Sequence, residues 1–178
     1  MRVVGGRLRG RRLASPPSRS REVRPTSDRA RETLFALLGD VSDLLVLDLF
    51  CGTGALAIEA LSRGADSAVL VDKAPALARR NVEALGLANR CEIVRSDAIR
   101  YLGSTEQRFG LILCDPPYKL ADRLEPELSQ HLPPRLARHA RLAIECSARR
   151  PLGLEAPGLS LLSERRIGEA LIRVLANR

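Results

Sequence analysis

Five short apolar runs recur along the chain: Leu44 to Phe50, Ser67 to Asp72, Cys91 to Ser96, Phe109 to Cys114 and Arg141 to Cys146. They are apolar almost throughout and do not alternate with polar positions, the pattern of parallel strands covered on both faces. The segments between them carry the crossover helices that parallel strands require. Gly158 to Ser163 and Ala170 to Leu175 predict two further strands joined by a loop. Ahead of the first strand, Thr26 to Asp28 supply capping residues, and Ala30, Leu34, Leu37 and Leu38 then share one helical face until Gly39 ends the helix. From Met1 to Pro25 the chain is rich in Gly, Pro, Ser and Arg, with Val3, Val4, Leu8 and Leu13 as its apolar anchors. The reading is a basic arm over residues 1–26 with room for a short hairpin, then one α/β domain over 27–178 with a doubly wound, mostly parallel sheet of seven strands.

A chain of 178 residues supports one domain with one core. No apolar stretch nears the roughly 20 residues that cross a bilayer, and the N-terminus lacks a signal-peptide pattern, so a cytoplasmic location without membrane is expected. Charge changes the picture more. The net +8 is held by residues 1–31, where ten Arg face only Glu22 and Asp28, giving 10 − 2 = +8 and leaving 19 basic and 19 acidic residues in the remainder. Such a segment is drawn to a polyanion, nucleic acid above all, although a solvated basic tail would share the composition. Cys51, Cys91, Cys114 and Cys146 are widely spaced, and His131 and His139 have no acidic residue between them to complete a ligand set. Neither zinc nor another metal is expected.

Candidate chemistry gathers at the ends of the predicted strands. Asp48-Leu49-Phe50 runs into Cys51-Gly52-Thr53-Gly54 and then a helix, a turn whose glycines let the backbone approach a ligand. Taken alone, this would suit a tight turn in any α/β protein. Asp72 ends the second strand, where a carboxylate reaches ribose hydroxyls, and Asp97 follows the third, near the expected place of an adenine amine. Asp48 lies inside an apolar run, where an unpaired charge is costly and calls for a cation. The α-ammonium of a methionine moiety would supply it, whereas a pyrophosphate would be repelled; the sign favours S-adenosylmethionine over NAD. Asp115-Pro116-Pro117-Tyr118 closes the fourth strand. Asp115 and a proline carbonyl can accept both N–H bonds of one planar amine, with Tyr118 offering its ring to a base.

Asp48 to Gly54 resembles motif I of class I S-adenosylmethionine-dependent methyltransferases, and Asp115 to Tyr118 resembles the D/N-P-P-Y/F motif of amino-group methyltransferases. Within that group the chain resembles the RsmD family. The likeness extends to Arg2-Val3-Val4-Gly5-Gly6, Gly10-Arg11-Arg12-Leu13, Arg24-Pro25-Thr26 with Asp28-Arg29, Arg31 to Phe35, and Glu59 to Ala65. It implies a Rossmann-like fold, S-adenosylmethionine as cofactor, and methylation of a guanine N2 in small-subunit (16S) rRNA, naked or within a 30S particle. Asp48, Phe50, Cys51, Gly52, Thr53, Gly54, Asp72, Lys73, Asp97, Ala98 and Asp115 are then the expected cofactor residues, and Asp115, Pro116, Pro117 and Tyr118 the catalytic ones. Arg7, Arg9, Arg11, Arg12, Arg24, Thr26 and Arg31 are the expected RNA contacts. Cys51 and Thr53 depart mildly from the family's glycine turn, and Ile167-Gly168-Glu169-Ala170 departs from its usual Tyr-Gly-Asp-Thr pattern.

Other activities stay open at this level. An adenine N6 methyltransferase acting on DNA or RNA could use the same tetrad. A cytosine C5 enzyme would need a nucleophilic thiol, commonly after a proline. An NAD-dependent oxidoreductase could share Gly52, Gly54 and Asp72, while a non-catalytic RNA-binding module would have no use for the strand-end acids.

Overall fold

The computed structural model describes residues 1–16, 27–154 and 158–177. Leu45–Leu49 (β1), Ser67–Asp72 (β2), Cys91–Arg95 (β3), Phe109–Cys114 (β4), Leu136–Ser147 (β5), Leu159–Ile167 (β6) and Ala170–Asn177 (β7) form one sheet in the order β3-β2-β1-β4-β5-β7-β6. β1 to β5 are mutually parallel, and β7 runs antiparallel to both of its neighbours. β1 and β4 are adjacent although β2 and β3 intervene in sequence, so the strand order reverses there. Ligands bind outside the carboxyl ends of strands at such a switch point.

Helices cover both faces. Asp28–Leu38 (α1), Ala55–Ser62 (α2) and Ala76–Ala84 (α3) pack with Val46, Leu111 and Leu113 on one side of the sheet. Ala98–Ser104 (α4) and Ala121–His131 (α5) pack with Leu47, Leu49 and Ile112 on the other. Ser27 caps α1, its Oγ accepting from the Ala30 N–H at 3.1 Å. The guanidinium of Arg141 from β5 closes the other end of α1 by donating to the Leu38 and Asp40 carbonyls. Among the described residues no helix is long and apolar enough to cross a membrane.

β5 starts at Leu136, earlier than the predicted Arg141, and β6 continues to Ile167, beyond the predicted Ser163. Both extensions carry charged residues. Arg138 and His139 interrupt the apolar run of β5, where the register with β4 shifts and His139 takes φ +60°. Glu164, Arg165 and Arg166 fall on the edge strand β6, where charge discourages pairing with another chain.

Residues 1–13 are folded onto the domain. The Val3 N–H donates to the Arg11 carbonyl at 3.0 Å, and the Leu13 N–H to the Met1 carbonyl at 3.1 Å, making a small hairpin with Arg2 and Arg12 paired. Its underside is apolar: Val3 and Leu13 join the core beneath α2, each contributing roughly 1.5–3 kcal/mol by burial. The fully buried Glu59 of α2 fixes it further, accepting from the Val4 N–H at 2.8 Å and from Arg63 Nε at 2.7 Å. Ser62 accepts from the Leu8 N–H and donates to the Gly5 carbonyl. Gly6, at φ +69°, lies so close that a Cβ there would overlap the Ser62 carbonyl.

Candidate active site

The β1 exit shows why the glycine turn has its composition. Phe50 already sits at φ +59°, a sparsely populated conformation for a residue with a side chain, and Gly52 and Gly54 follow at +51° and +74°. This sequence of left-handed residues folds the chain back over its own strand, so that α2 starts above β1. A Cβ at Gly54 would lie 2.8 Å from Leu70 Cδ2 and 3.2 Å from the Ala78 Cβ. Only glycine permits that approach of loop, strand and α3. Cys51 is buried against the sheet, and its N–H donates to the Val71 carbonyl at 3.1 Å.

The four predicted acids meet at one end of the sheet, in different states. Asp48 is 1% exposed, and its Oδ2 accepts from the Ala57 N–H at 3.0 Å. Burial, reinforced by nearby Asp72, pushes its carboxyl up to about 7. Asp72 uses one oxygen for the Gly52 N–H at 2.9 Å and the other for the Ala74 N–H at 2.8 Å, bracing the turn. Each carboxylate oxygen can accept a second bond, so both can still take a hydroxyl.

Asp97 is engaged locally. Its Oδ1 caps α4 through the Ile99 and Arg100 N–H groups, and its Oδ2 pairs with Lys73 Nζ at 2.8 Å. That lysine, with the two amides, holds Asp97 below the usual carboxylate range. Lys73 thus spans from the end of β2 to the start of α4, and Ala98 is buried beneath the cap.

On the other side of β1, Cys114 pairs in register with Leu49, which brings Asp115 level with Phe50. Pro116 is buried and Pro117 exposed. The Pro117 carbonyl is committed to the turn, accepting from the Leu120 N–H at 2.8 Å, which makes the Pro116 carbonyl the candidate partner for Asp115. Tyr118 is 43% exposed, presenting a large aromatic face beside the site. Its hydroxyl donates to Glu145 Oε1 at 3.4 Å, and burial together with Glu145 and Asp115 raises its pKa, keeping it protonated. Burial also raises the thiols of Cys51 and Cys114, which argues against a thiolate nucleophile.

Of the expected RNA contacts, Arg7, Arg9, Arg11 and Arg12 project from the hairpin and are exposed. Arg24 and Thr26 lie outside the described residues. Arg31 corrects the sequence reading. It is fully buried, and its guanidinium donates to the Arg2 carbonyl at 2.6 Å and to Asp28 Oδ1 at 2.7 Å. It fastens the hairpin to α1 and presents nothing to a phosphate.

Two residues beyond the predicted set join these parts. Asn81 of α3, 3% exposed, accepts from the Ala14 N–H at 2.7 Å and donates to the Ala14 and Thr53 carbonyls at 3.1 and 2.9 Å. One side chain therefore pins both the end of the hairpin segment and the glycine turn. Its sequence signal is a polar residue between Ala78 and Val82 on the inward face of α3. Glu145, an acid in the apolar end of β5, is the second.

Residues 1–176 match the family model described as conserved hypothetical protein 95. Ribosomal RNA small subunit methyltransferase D of Escherichia coli K12 is 38% identical over 122 residues, 67% of this chain and 61% of that protein. The chain belongs to the RsmD family. YlbH of Bacillus subtilis 168 is 40% identical over 67% of either chain. The alignment to the Escherichia coli relative thus spans less than two thirds of that protein's length. The solved structure of Escherichia coli yhhF matches with a TM-score of 0.81 at 31% identity, covering 100% of this RsmD-family chain and 98% of the other.

Proposed function

We propose that this protein transfers a methyl group from S-adenosylmethionine to the exocyclic N2 of a guanine in small-subunit rRNA, in the cytoplasm. The observation that carries the reading is the meeting of Asp48, Asp72 and the Asp115-Pro116-Pro117-Tyr118 tetrad at the switch point of one sheet. The site suits the cofactor by a test of its own: the buried Asp48 carboxylate wants a cation, and the glycine turn admits close approach of a ligand. The name of the Escherichia coli relative, an rRNA small subunit methyltransferase, supports the substrate.

S-adenosylmethionine supplies an electrophilic methyl on a sulfonium. Asp48 would hold the cofactor's ammonium and Asp72 its ribose hydroxyls. A guanine N2 lone pair is delocalised into the ring and is a poor nucleophile. Asp115 and the Pro116 carbonyl each accept one N–H, turning the nitrogen so that its lone pair points along the line of displacement. Tyr118 stacks on the base, which is flipped from a helix or taken from a loop. Asp115 takes the proton once transfer has made the amine acidic.

Following labelled methyl into naked DNA, naked rRNA and small-subunit particles tests the assignment. Label is expected in rRNA or the particle, in the guanine fraction; label in DNA or in adenine would overturn it. The particle, with the hairpin arginines against its phosphates, is the substrate we favour, because phosphate contacts position without reading sequence.

Two further outcomes follow. Replacing Arg7, Arg9, Arg11 and Arg12 by Ala is expected to weaken RNA binding and to reduce the slope of log K against log salt by about 0.7–0.9 for each phosphate no longer neutralised. An unchanged slope in a filter-binding titration would move the RNA elsewhere. Asn81→Ala is expected to weaken S-adenosylmethionine binding roughly fivefold, the equivalent of about one hydrogen bond, by releasing the Thr53 carbonyl. Calorimetric titration measures it, and wild-type affinity would show that Asn81 serves the hairpin alone.

A further inference from the structure

We propose that Glu145 selects the base, its carboxylate accepting the ring N1–H of guanine beside Asp115 and thereby rejecting adenine. This rests on the guanine-N2 reading above. Cys114 and Ile144 form the last register pair between β4 and β5, and the next residue of each chain is an acid: Asp115 just past the end of β4, and Glu145 within β5, which continues to Ser147. Adjacent strands of a sheet lie about 4.8 Å apart. Both side chains are partly buried, and Glu145 continues the run Leu142-Ala143-Ile144.

Tyr118 locates Glu145 within the same site. Its hydroxyl reaches Glu145 Oε1 across 3.4 Å, longer than the 2.7–2.8 Å usual for O–H···O, so that bond is readily exchanged for a better donor. A base stacked on the Tyr118 ring therefore has its edge within reach of both carboxylates. The tyrosine stays protonated beside them and adds no third negative charge to the site.

The two purines differ at the edge this arrangement meets. Guanine presents two adjacent donors, the N2 amine and N1–H, which two adjacent acceptors satisfy. Adenine presents an amine beside an N1 lone pair. Held by Asp115 through its amine, adenine would aim that lone pair at a second carboxylate, and both would lose their hydrogen bonds to water. Sites that leave buried polar groups unpaired reject the wrong substrate by large factors. Asp115 thus recognises an amine, and Glu145 decides which amine.

The test uses the full chain and small-subunit rRNA carrying, at the nucleotide identified by methyl mapping, either guanosine or 2-aminopurine riboside. The analogue keeps the N2 amine and has a lone pair at N1. The wild-type protein is expected to favour guanosine in kcat/KM by about a hundredfold or more. In E145Q, whose amide can donate to N1 or accept from it, the ratio should fall to about tenfold or less. Where turnover is slow, RNA affinities measured with S-adenosylhomocysteine present should show the same change in ratio. Y118F, which removes the hydroxyl but keeps the carboxylate, should retain the wild-type ratio. An unchanged ratio in E145Q overturns the proposal, and so does a Y118F variant that matches E145Q, since Glu145 would then act only through the tyrosine. A wild-type protein that methylates no guanosine in either RNA would instead overturn the guanine reading beneath it.

Discussion

Asp115→Ala is expected to lower kcat by about a hundred- to a thousandfold while S-adenosylmethionine Kd stays within about twofold, because in the proposed mechanism the residue acts on the amine and not on the cofactor. The fold keeps these acids on different strands. Asp48 and Asp72 lie on β1 and β2, whereas Asp115 leaves β4 on the other side of β1. Removing its carboxylate leaves the Pro116 carbonyl to hold one N–H, with nothing to turn the nitrogen or to take its proton. Single-turnover rates with saturating cofactor measure the first quantity and calorimetry the second. Turnover at the wild-type rate would remove Asp115 from the reaction, and equal losses in both would reassign it to cofactor binding.

The second large effect concerns Asp48 and carries a sign that pH reveals. Its carboxyl titrates near 3.8 when exposed and is pushed up to about 7 by burial in the fold. Between those values the folded state holds a proton that the unfolded state has lost, so rising pH lowers the stability of the cofactor-free protein, and the loss levels off above about 7. A cation binds the ionised form. S-adenosylmethionine Kd should therefore fall as pH rises from about 5.5 to about 7 and then flatten, with proton release on binding at the acid end. Asp48→Asn should abolish that dependence, weaken binding above neutrality by about tenfold or more, and raise the unfolding free energy of the free protein there. Isothermal titration in buffers of different ionisation enthalpy reads the proton, and denaturant unfolding reads the stability. A variant with the wild-type pH profile would place the titrating group elsewhere.

What could be read from the sequence follows physical lines. β2 and β4 are bounded as predicted because their apolar runs end abruptly, β2 at Asp72 and β4 before Asp115-Pro116-Pro117. β5 and β6 outrun their predicted limits because pairing with a neighbour, Leu136 with Phe109 and Glu164 with Arg173, and not hydrophobicity, extends them. Within the site, strand-end acids were visible as residue types, but their partners were not. Nothing in the spacing distinguishes Asp72, which braces a turn, from Asp97, which caps a helix and holds Lys73. Arg31 shows the same limit more sharply. Composition groups it with the phosphate-seeking arginines, whereas its place on the inward face of α1, between Ala30 and Leu34, buries it. Asn81 was unreadable because its partners, Ala14 and Thr53, are distant in sequence and are brought together only by the fold.

The order of the last three strands bears on how the chain is made. β7 follows β6 in sequence yet lies between β6 and β5, pairing Glu145 with Ile172 and Ala143 with Val174. Until Ala170–Asn177 has left the ribosome, β5 keeps an open edge along Leu142, Ala143 and Ile144, a template for pairing with another chain. Translation that stalls within β6 would therefore release a sticky product, in which the strand bearing the base-selecting acid is the one exposed. Completion of β7 covers it and leaves the charged β6 as the outer border of the sheet.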